Sequence, residues 1–365
     1  MLCTQYFASN ATCICMLYNN LIQIIHMSSK FHYDKNADYA EVNLDFDAAI
    51  QRYKNIANCD ELSNLESAYK DVWHQVLLKH VGIDFERNFV IGDEVFDFRH
   101  DNIVININPT FSHNSTHSFE HLFMHAAKDS HLPCDIHAKK TDIAKAAGFH
   151  CIHVWDWDDA KKVINHIKHQ IVDKSKIVYA RKLKVVEIDK YTANQFLIEH
   201  HLQGKCSGNF INLALIEGHP LELLGGYVIH QLMTFGRPRY NKRYQYELLR
   251  LCAATKVVGG AERIFKHFIK TYDPESVLSY CDLSKFDGGV YTKLGFDGLG
   301  LSYSKHWFNM LTKQHITNNM LLMHGADRIL GTNGGKGTRN EDFMYDHGFV
   351  EVYDAGQASY GWHKQ

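Results

Sequence analysis

Six side chains between residues 97 and 140 could together hydrolyse a phosphodiester. In the stretch VFDFRHDNIVININPTFSHNS, residues 95–115, Asp97 comes first, then Asn106 and Asn108, then His113; His137 and Lys140 follow in DIHAKK. A phosphodiesterase centre needs oxygen ligands for Mg²⁺, plus an acid or base to manage the water and the leaving oxygen. Asp97 and Asn106 are the candidate metal ligands, with Asn108, His113, His137 and Lys140 as the remaining catalytic candidates. Each has a structural alternative. The asparagines could hydrogen-bond a buried turn before Pro109-Thr110, and Asp97 could cap a hairpin.

The elements that must position them follow from periodicity. Leu62, Leu65, Tyr69, Val72, Trp73, Val76 and Leu77 recur at helical spacing within 44–80, and Asp60 or Ser63 suits a cap. Strand-like runs at 88–91, 94–99 and 103–107 follow, the last two joined at Asp101-Asn102. On such a hairpin Asn106 and Asn108, two residues apart, share one side. Helices near 116–129 and 138–147, a buried strand at 150–156 and a helix at 158–171 complete a mixed α/β domain. After the polar joint DKSK the pattern restarts: strand 177–188, helix 191–200, strands near 210–216, 223–235 and 245–253, helix 261–271, strand 276–281 and a short helix 288–294. The expected organisation is a tail over 1–43, a first domain over 44–172, a linker at 173–176 and a second domain over 177–365. Residues 1–26 lack Lys and Arg, so they do not read as a secretory signal, and their apolar run is too short to span a bilayer. A loosely attached tail, or translation from Met27, accounts for them.

Composition bounds the class. The chain has 365 residues, 45% apolar and 22% charged, with a formal net charge of −2, an ordinary water-soluble pattern with no membrane partner. Nine scattered cysteines without a CxxC pair point to a reducing, cytoplasmic setting. The near-neutral total hides a local excess. Residues 236–270 carry nine Lys/Arg against two Glu, interleaved with Tyr240, Tyr244, Tyr246, Phe265 and Phe268. That pattern suits a DNA backbone and its bases, or a solvated helix face. His117, His121 and His125 fall on one helix face and read as surface residues rather than a zinc site. GTNGGKGT at 331–338 fails the P-loop spacing and reads as a glycine-rich loop. Oligomeric state has no signature.

FDFRHDNIVININPTFSHNS and DIHAKKTDIAKAAGFHCIHVWDWDD resemble the phage homing endonucleases related to very-short-patch-repair nucleases, whose PD-(D/E)xK-like domains carry the EDxHD motif. The likeness covers about residues 60–170. It implies a restriction-endonuclease-like mixed sheet with flanking helices, Mg²⁺, a DNA substrate and a phage-encoded protein acting in the host cytoplasm. It matches Asp97, Asn106-Ile107-Asn108, His113, His137 and Lys140 to the motif. Relatives have Glu where Asn106 stands, so Asn106→Glu is expected to raise metal-dependent cutting. Glu61 and Glu66 are both candidates for the motif's helical Glu.

YELLRLCAATKVVGGAERIFKHF at 246–268 is a strand, a glycine turn and a helix; the amides of such a turn suit a pyrophosphate. With VLSYCDLSKFDGGVYTKLGF it resembles the GNAT acyltransferases, and in particular the Mom-type DNA-modification branch. The resemblance implies a GNAT-like α/β fold, acetyl-CoA at Val258, Gly259, Gly260 and Ala261, and active-site roles for Arg250, Asp282 and Tyr291, the last protonating the leaving thiolate. Lys256 departs from the usual first residue of that loop. The resulting expectation is a DNA endonuclease whose second domain aids DNA binding. The alternatives are a CoA-dependent acyltransferase acting on a DNA base and a non-catalytic DNA-binding protein.

Overall fold

The computed structural model describes residues 62–110, 112–115, 134–171, 177–218, 226–309, 312, 314–331 and 341–365. Expectations at 1–61, the helix at 116–129 with its three histidines, the joint at 173–176 and most of the glycine-rich loop lie outside these residues. The protein is mixed α/β, and its chain divides into two compact units. One comprises residues 1–160 and 303–355, the other 161–302 and 356–365.

The first unit opens with α1 (Leu62–Val81), whose periodic residues Tyr69, Val72, Trp73, Val76 and Leu77 are buried. Gly82, at φ +78°, ends it, and its N–H caps the Leu78 carbonyl. Strands β1 (Glu86–Ile91), β2 (Glu94–His100) and β3 (Ile103–Asn108) form an antiparallel meander. Then α2 (Ile136–Ala146) leads to β4 (His150–Trp155), which pairs parallel to β3. The sheet order is β1-β2-β3-β4. Helices cover both faces. The His74 ring of α1 stacks on Phe98, while Ala144 of α2 packs with Val104 and Cys151 on the opposite face. Every residue of β3 is therefore buried, as a central strand in such a sandwich must be, and Asn106 and Asn108 are its polar members.

Helix α3 (Ala160–Ile171) begins the second unit. This differs from the expected division at 173–176, because Lys162 donates to the His201 carbonyl at 2.9 Å and His166 Nε2 to that of Lys285 at 3.1 Å. Strand β5 (Val178–Tyr179), a 3₁₀ turn over Ala180–Lys182 and β6 (Lys184–Glu187) replace the single strand expected over 177–188. Next come α4 (Lys190–His200), β7 (Asn209–Gly218), β8 (Tyr227–Gly236), β9 (Tyr246–Ala253), β10 (Val257–Val258), α5 (Gly260–Tyr272), β11 (Ser276–Asp282), α6 (Gly289–Lys293) and β12 (Asp297–Ser302). Helix α5 sets Ile264, Phe265 and Phe268 against Leu213, Leu215, Met233 and Phe235. Helix α4 covers the other face, setting Phe196 and Leu197 against Ala214, Ile216 and Leu232. Odd and even positions of β7 thus feed two separate cores, the two-residue period of a strand covered on both sides.

After β12 the chain returns to the first unit. Strand β13 (Lys305–Asn309) lies between β14 (His315–Thr317) and β15 (Phe349–Tyr353), with α7 (Asn318–His324), α8 (Ala326–Leu330) and α9 (Glu341–Asp346) around Trp307, Ile316, Leu321, Met344 and Phe349. Residues 303–355 were expected in the second domain. Local periodicity does not encode which sheet a late strand joins; here the Glu351 carbonyl accepts from the Ser115 N–H at 2.7 Å in the first unit. Strand β16 (Gln357–His363) then enters the seven-stranded sheet of the second unit, whose order is β12-β16-β11-β9-β8-β7-β6.

Candidate active site

A continuous polar chain runs through the first unit and starts at Asp97. The β2–β3 ladder ends at Phe98–Ile105. Beyond it the Asp97 carboxylate takes over, accepting the Ile107 N–H at 2.7 Å through Oδ2. A buried backbone donor requires such a partner. Asp97 Oδ1 lies 2.8 Å from the Lys70 ammonium, which is also 2.6 Å from Glu66 Oε1. Glu66 and Lys70 are four residues apart on α1 and so share a helix face. Glu66 Oε1 faces His113 Nε2 at 3.3 Å; His113 Nδ1 faces His137 Nε2 at 3.2 Å; and His137 Nδ1 donates to the Tyr353 carbonyl at 2.8 Å.

The last contact orients the others. A carbonyl only accepts, so His137 carries its proton on Nδ1 and offers a bare Nε2. His113 Nδ1–H can donate to it. Glu66 also accepts only, so both His113 contacts are hydrogen bonds when His113 carries both ring protons. Burial, then the His113 charge, pushes the His137 imidazole down to about 3. Burial raises the Glu66 carboxyl, but hydrogen bonds and charges from His113 and Lys70 outweigh it and hold it well below the usual carboxylate range. Burial disfavours the Lys70 ammonium, yet Asp97 and Glu66 raise its pKa overall.

Three of the expected residues, Asp97, His113 and His137, are thus brought together. The others lie elsewhere. Asn106 is fully buried and donates through Nδ2 to Cys151 Sγ at 3.3 Å, while its Oδ1 has no hydrogen-bond partner. Asn108 Nδ2 lies 3.0 Å from His153 Nδ1, and His153 Nε2 lies 2.8 Å from Thr141 Oγ1, which donates to the His137 carbonyl. Asn108 therefore braces the helix that carries His137. The Lys140 ammonium sits 5.2 Å from the centre of the Phe96 ring, where burial lowers its pKa against the pull of Asp97. Of the two helical Glu candidates, Glu66 is at the site; Glu61 lies outside the described residues. Sequence reasoning missed Lys70, although its i,i+4 spacing from Glu66 was a signal. It also missed the Tyr353 carbonyl, which comes from 216 residues beyond His137 and has no local signature.

Asp97 Oδ1 and Glu66 Oε1 are the oxygens that could hold a hard divalent cation. Two carboxylate oxygens converge on an ammonium, so a cation already occupies the position between them. Among the described residues no three His, Cys, Asp or Glu side chains are arranged to hold a metal by themselves. An ion held by Asp97 and Glu66 would complete its shell with waters, as Mg²⁺ commonly does.

The second unit holds a cavity of about 650 Å³ lined by, among others, Lys162, His201, Arg250, Lys256, Asp282 and Tyr291. It opens where β9 and β11, paired only over Tyr246–Leu248 and Val277–Ser279, part company. Burial lowers the Arg250 pKa. Its Nη1 donates to the Leu249 carbonyl at 2.8 Å, but its buried Nε has no hydrogen-bond partner. Tyr291 donates to the Tyr280 carbonyl at 3.1 Å, and burial pushes its hydroxyl up to about 12. Asp282 Oδ1 accepts the Ser284 N–H at 2.9 Å. The turn residues Val258, Gly259, Gly260 and Ala261 do not line this cavity. Val257 and Val258 pair with β5, and a Cβ on Gly260 would come within 1.8 Å of Gln231 Oε1, so that glycine serves close packing.

Compared with known proteins, the chain matches no family model and no curated protein.

Proposed function

We propose that the first unit is a metal-dependent DNA endonuclease of the phage homing type. The observation that carries this reading is the linked set Asp97–Lys70–Glu66–His113–His137, mounted on a helix, a three-stranded meander, a second helix and a parallel fourth strand. That order of elements is compatible with the expected restriction-endonuclease-like domain. A divalent cation bound by Asp97 and Glu66 would supply a Lewis acid for the phosphate and lower the pKa of bound water. The protein's own residues do the rest. His113, at the end of this chain of contacts, is the residue placed to hand a proton to the leaving oxygen. His137, fixed by Tyr353, holds the His113 ring in position.

DNA as the substrate is supported by the second unit's surface. Arg237, Arg239, Lys242 and Arg243 are exposed on the turn between β8 and β9, beside exposed Tyr240 and with Phe210 on neighbouring β7. Cations with free aromatic faces suit phosphates and unstacked bases. The test is incubation of supercoiled plasmid and phage DNA with the full chain and Mg²⁺ or Mn²⁺, beside Asp97→Ala and His113→Ala. The expected result is metal-dependent nicking or cleavage that both substitutions remove. Intact DNA in every lane would overturn the reading.

The cavity favours a second reading, in which a GNAT-like second unit transfers an acyl group from acetyl-CoA to a DNA base. Arg250 would meet anionic groups and Tyr291 would stand by as a proton donor. Calorimetry with acetyl-CoA, and mass spectrometry of nucleosides from treated DNA, test it; absence of binding would remove it.

A further inference from the structure

We infer that Lys70 occupies the cation position of the site and competes with the divalent metal for it. This rests on the nuclease reading above and concerns how its metal is admitted.

The contacts define the competition. Asp97 has two carboxylate oxygens, and Oδ2 is committed to the Ile107 N–H. Oδ1 is the oxygen left for a cation, and the Lys70 ammonium is on it at 2.8 Å. The same ammonium takes Glu66 Oε1 at 2.6 Å. A metal bridging these carboxylates needs the same two oxygens, and two cations cannot share them at contact distance. Lys70 is suited to yield. Its charge rides on a flexible four-carbon stem, and the side chain keeps 23% of its exposure, so an exit toward water exists.

The arrangement has a use. Without metal, two carboxylates on one site would repel each other. Lys70 lies between them and keeps both in place. The site is therefore preassembled without metal but admits an ion only at the expense of the Lys70 contacts. Lys70 is a positioning residue that sets the metal threshold.

Binding of Mn²⁺ to the full chain without DNA, followed by calorimetry and electron paramagnetic resonance, tests this. Lys70→Met removes the charge at similar length. Lys70→Gln also removes it but keeps a hydrogen-bond donor for the carboxylates, which guards against simple loss of fold. Lys70→Arg retains the charge. Both neutral variants are expected to bind Mn²⁺ roughly tenfold or more tightly than the unmodified chain, whereas Lys70→Arg stays close to it. Mn²⁺ should also raise the melting temperature more in the neutral variants. Unchanged affinity in correctly folded Lys70→Met and Lys70→Gln, with Asp97→Asn still abolishing binding, overturns the role of Lys70 and leaves the metal site standing. If the unmodified and neutral chains all fail to bind Mn²⁺, both this inference and the metal-dependent reading fall.

Discussion

The two units treat buried charge in opposite ways. In the first, the polar groups at the candidate site are spoken for: Asp97 by Lys70 and a backbone amide, Glu66 by Lys70 and His113, His137 by Tyr353. In the second, the half-buried Arg250 lines a cavity with its buried Nε unpartnered, and Gln231 Oε1 is likewise unpartnered. A saturated cluster acts only when something displaces an internal partner. A cavity with unmet donors gains free energy directly from a ligand that meets them. Under the proposed reading, the first arrangement would be gated by metal and the second open to a ligand.

The largest expected effect breaks the saturated side. Asp97→Ala removes a charge-bearing ligand, the partner of Lys70 and the acceptor of the Ile107 N–H in one change. Cleavage should fall by on the order of 10³-fold. The melting temperature should fall as well, because an orphaned buried donor costs about 1–3 kcal/mol. Plasmid relaxation and thermal unfolding read the two effects separately. A variant with normal cleavage would show that the polar chain is scaffold alone.

Asn106→Glu sharpens the same point. The resemblance implies that Glu here would raise cutting. The geometry implies otherwise, because the side chain is fully buried against Cys151, whose thiol burial pushes up to about 12. Taking a carboxylate out of water at this fully buried position would cost several kcal/mol. Chemical denaturation should show that loss with no gain in metal-dependent cleavage. A stable, faster variant would return Asn106 to the metal site.

Much of the first unit was legible in the sequence. The helix over 62–81, the hairpin at Asp101-Asn102 and the buried strand ending at Trp155 follow from periodicity and turn chemistry, and they appear within a residue or two of their expected bounds. The hairpin also put Asp97 on β2, as expected. It did not place Asn106 and Asn108 at the site, because both lie in a strand covered on each face, and their partners came with β4 and α2. The role of residues 303–355 was not legible at all. Their contribution is a backbone carbonyl, which any residue type at position 353 would provide. In the second unit the strand–turn–helix was readable, but the glycines at 259 and 260 proved to answer a packing demand rather than line the cavity.

Acid is where the contrast between the units ends. His137 and His315 in the first unit and His201 in the second are each lowered to about 3, in every case chiefly by burial. Each is neutral when folded and protonated when unfolded between about pH 6.5 and 3, so its contribution is present above pH 6.5 and is lost as pH falls through that window. One such group costs about 1.4 kcal/mol per pH unit. Burial also lowers His169 and His200 in the second unit, so acid weakens both units. Hydrogen exchange between pH 6.5 and 4 should show amides of β3 and β4 and those of β8 and β9 losing protection over the same window. Protection that persists to pH 4 in either unit would mean that its histidines do not set its acid stability.

The smallest effect tests the open side. Gly260→Ala places a methyl group against Gln231 Oε1 and within 2.8 Å of Val257 Cγ1. Gln231 and Val257 both line the cavity, so any relief must come by moving its wall. Overpacking of this kind costs about 1–3 kcal/mol, and any acetyl-CoA affinity should fall with it. DNA cleavage by the first unit should be unchanged, since its polar chain draws on no residue of this wall. If Gly260→Ala weakened cleavage as much as acetyl-CoA binding, the two sites would be energetically coupled, and the contrast between a gated cluster and an independent cavity would fail.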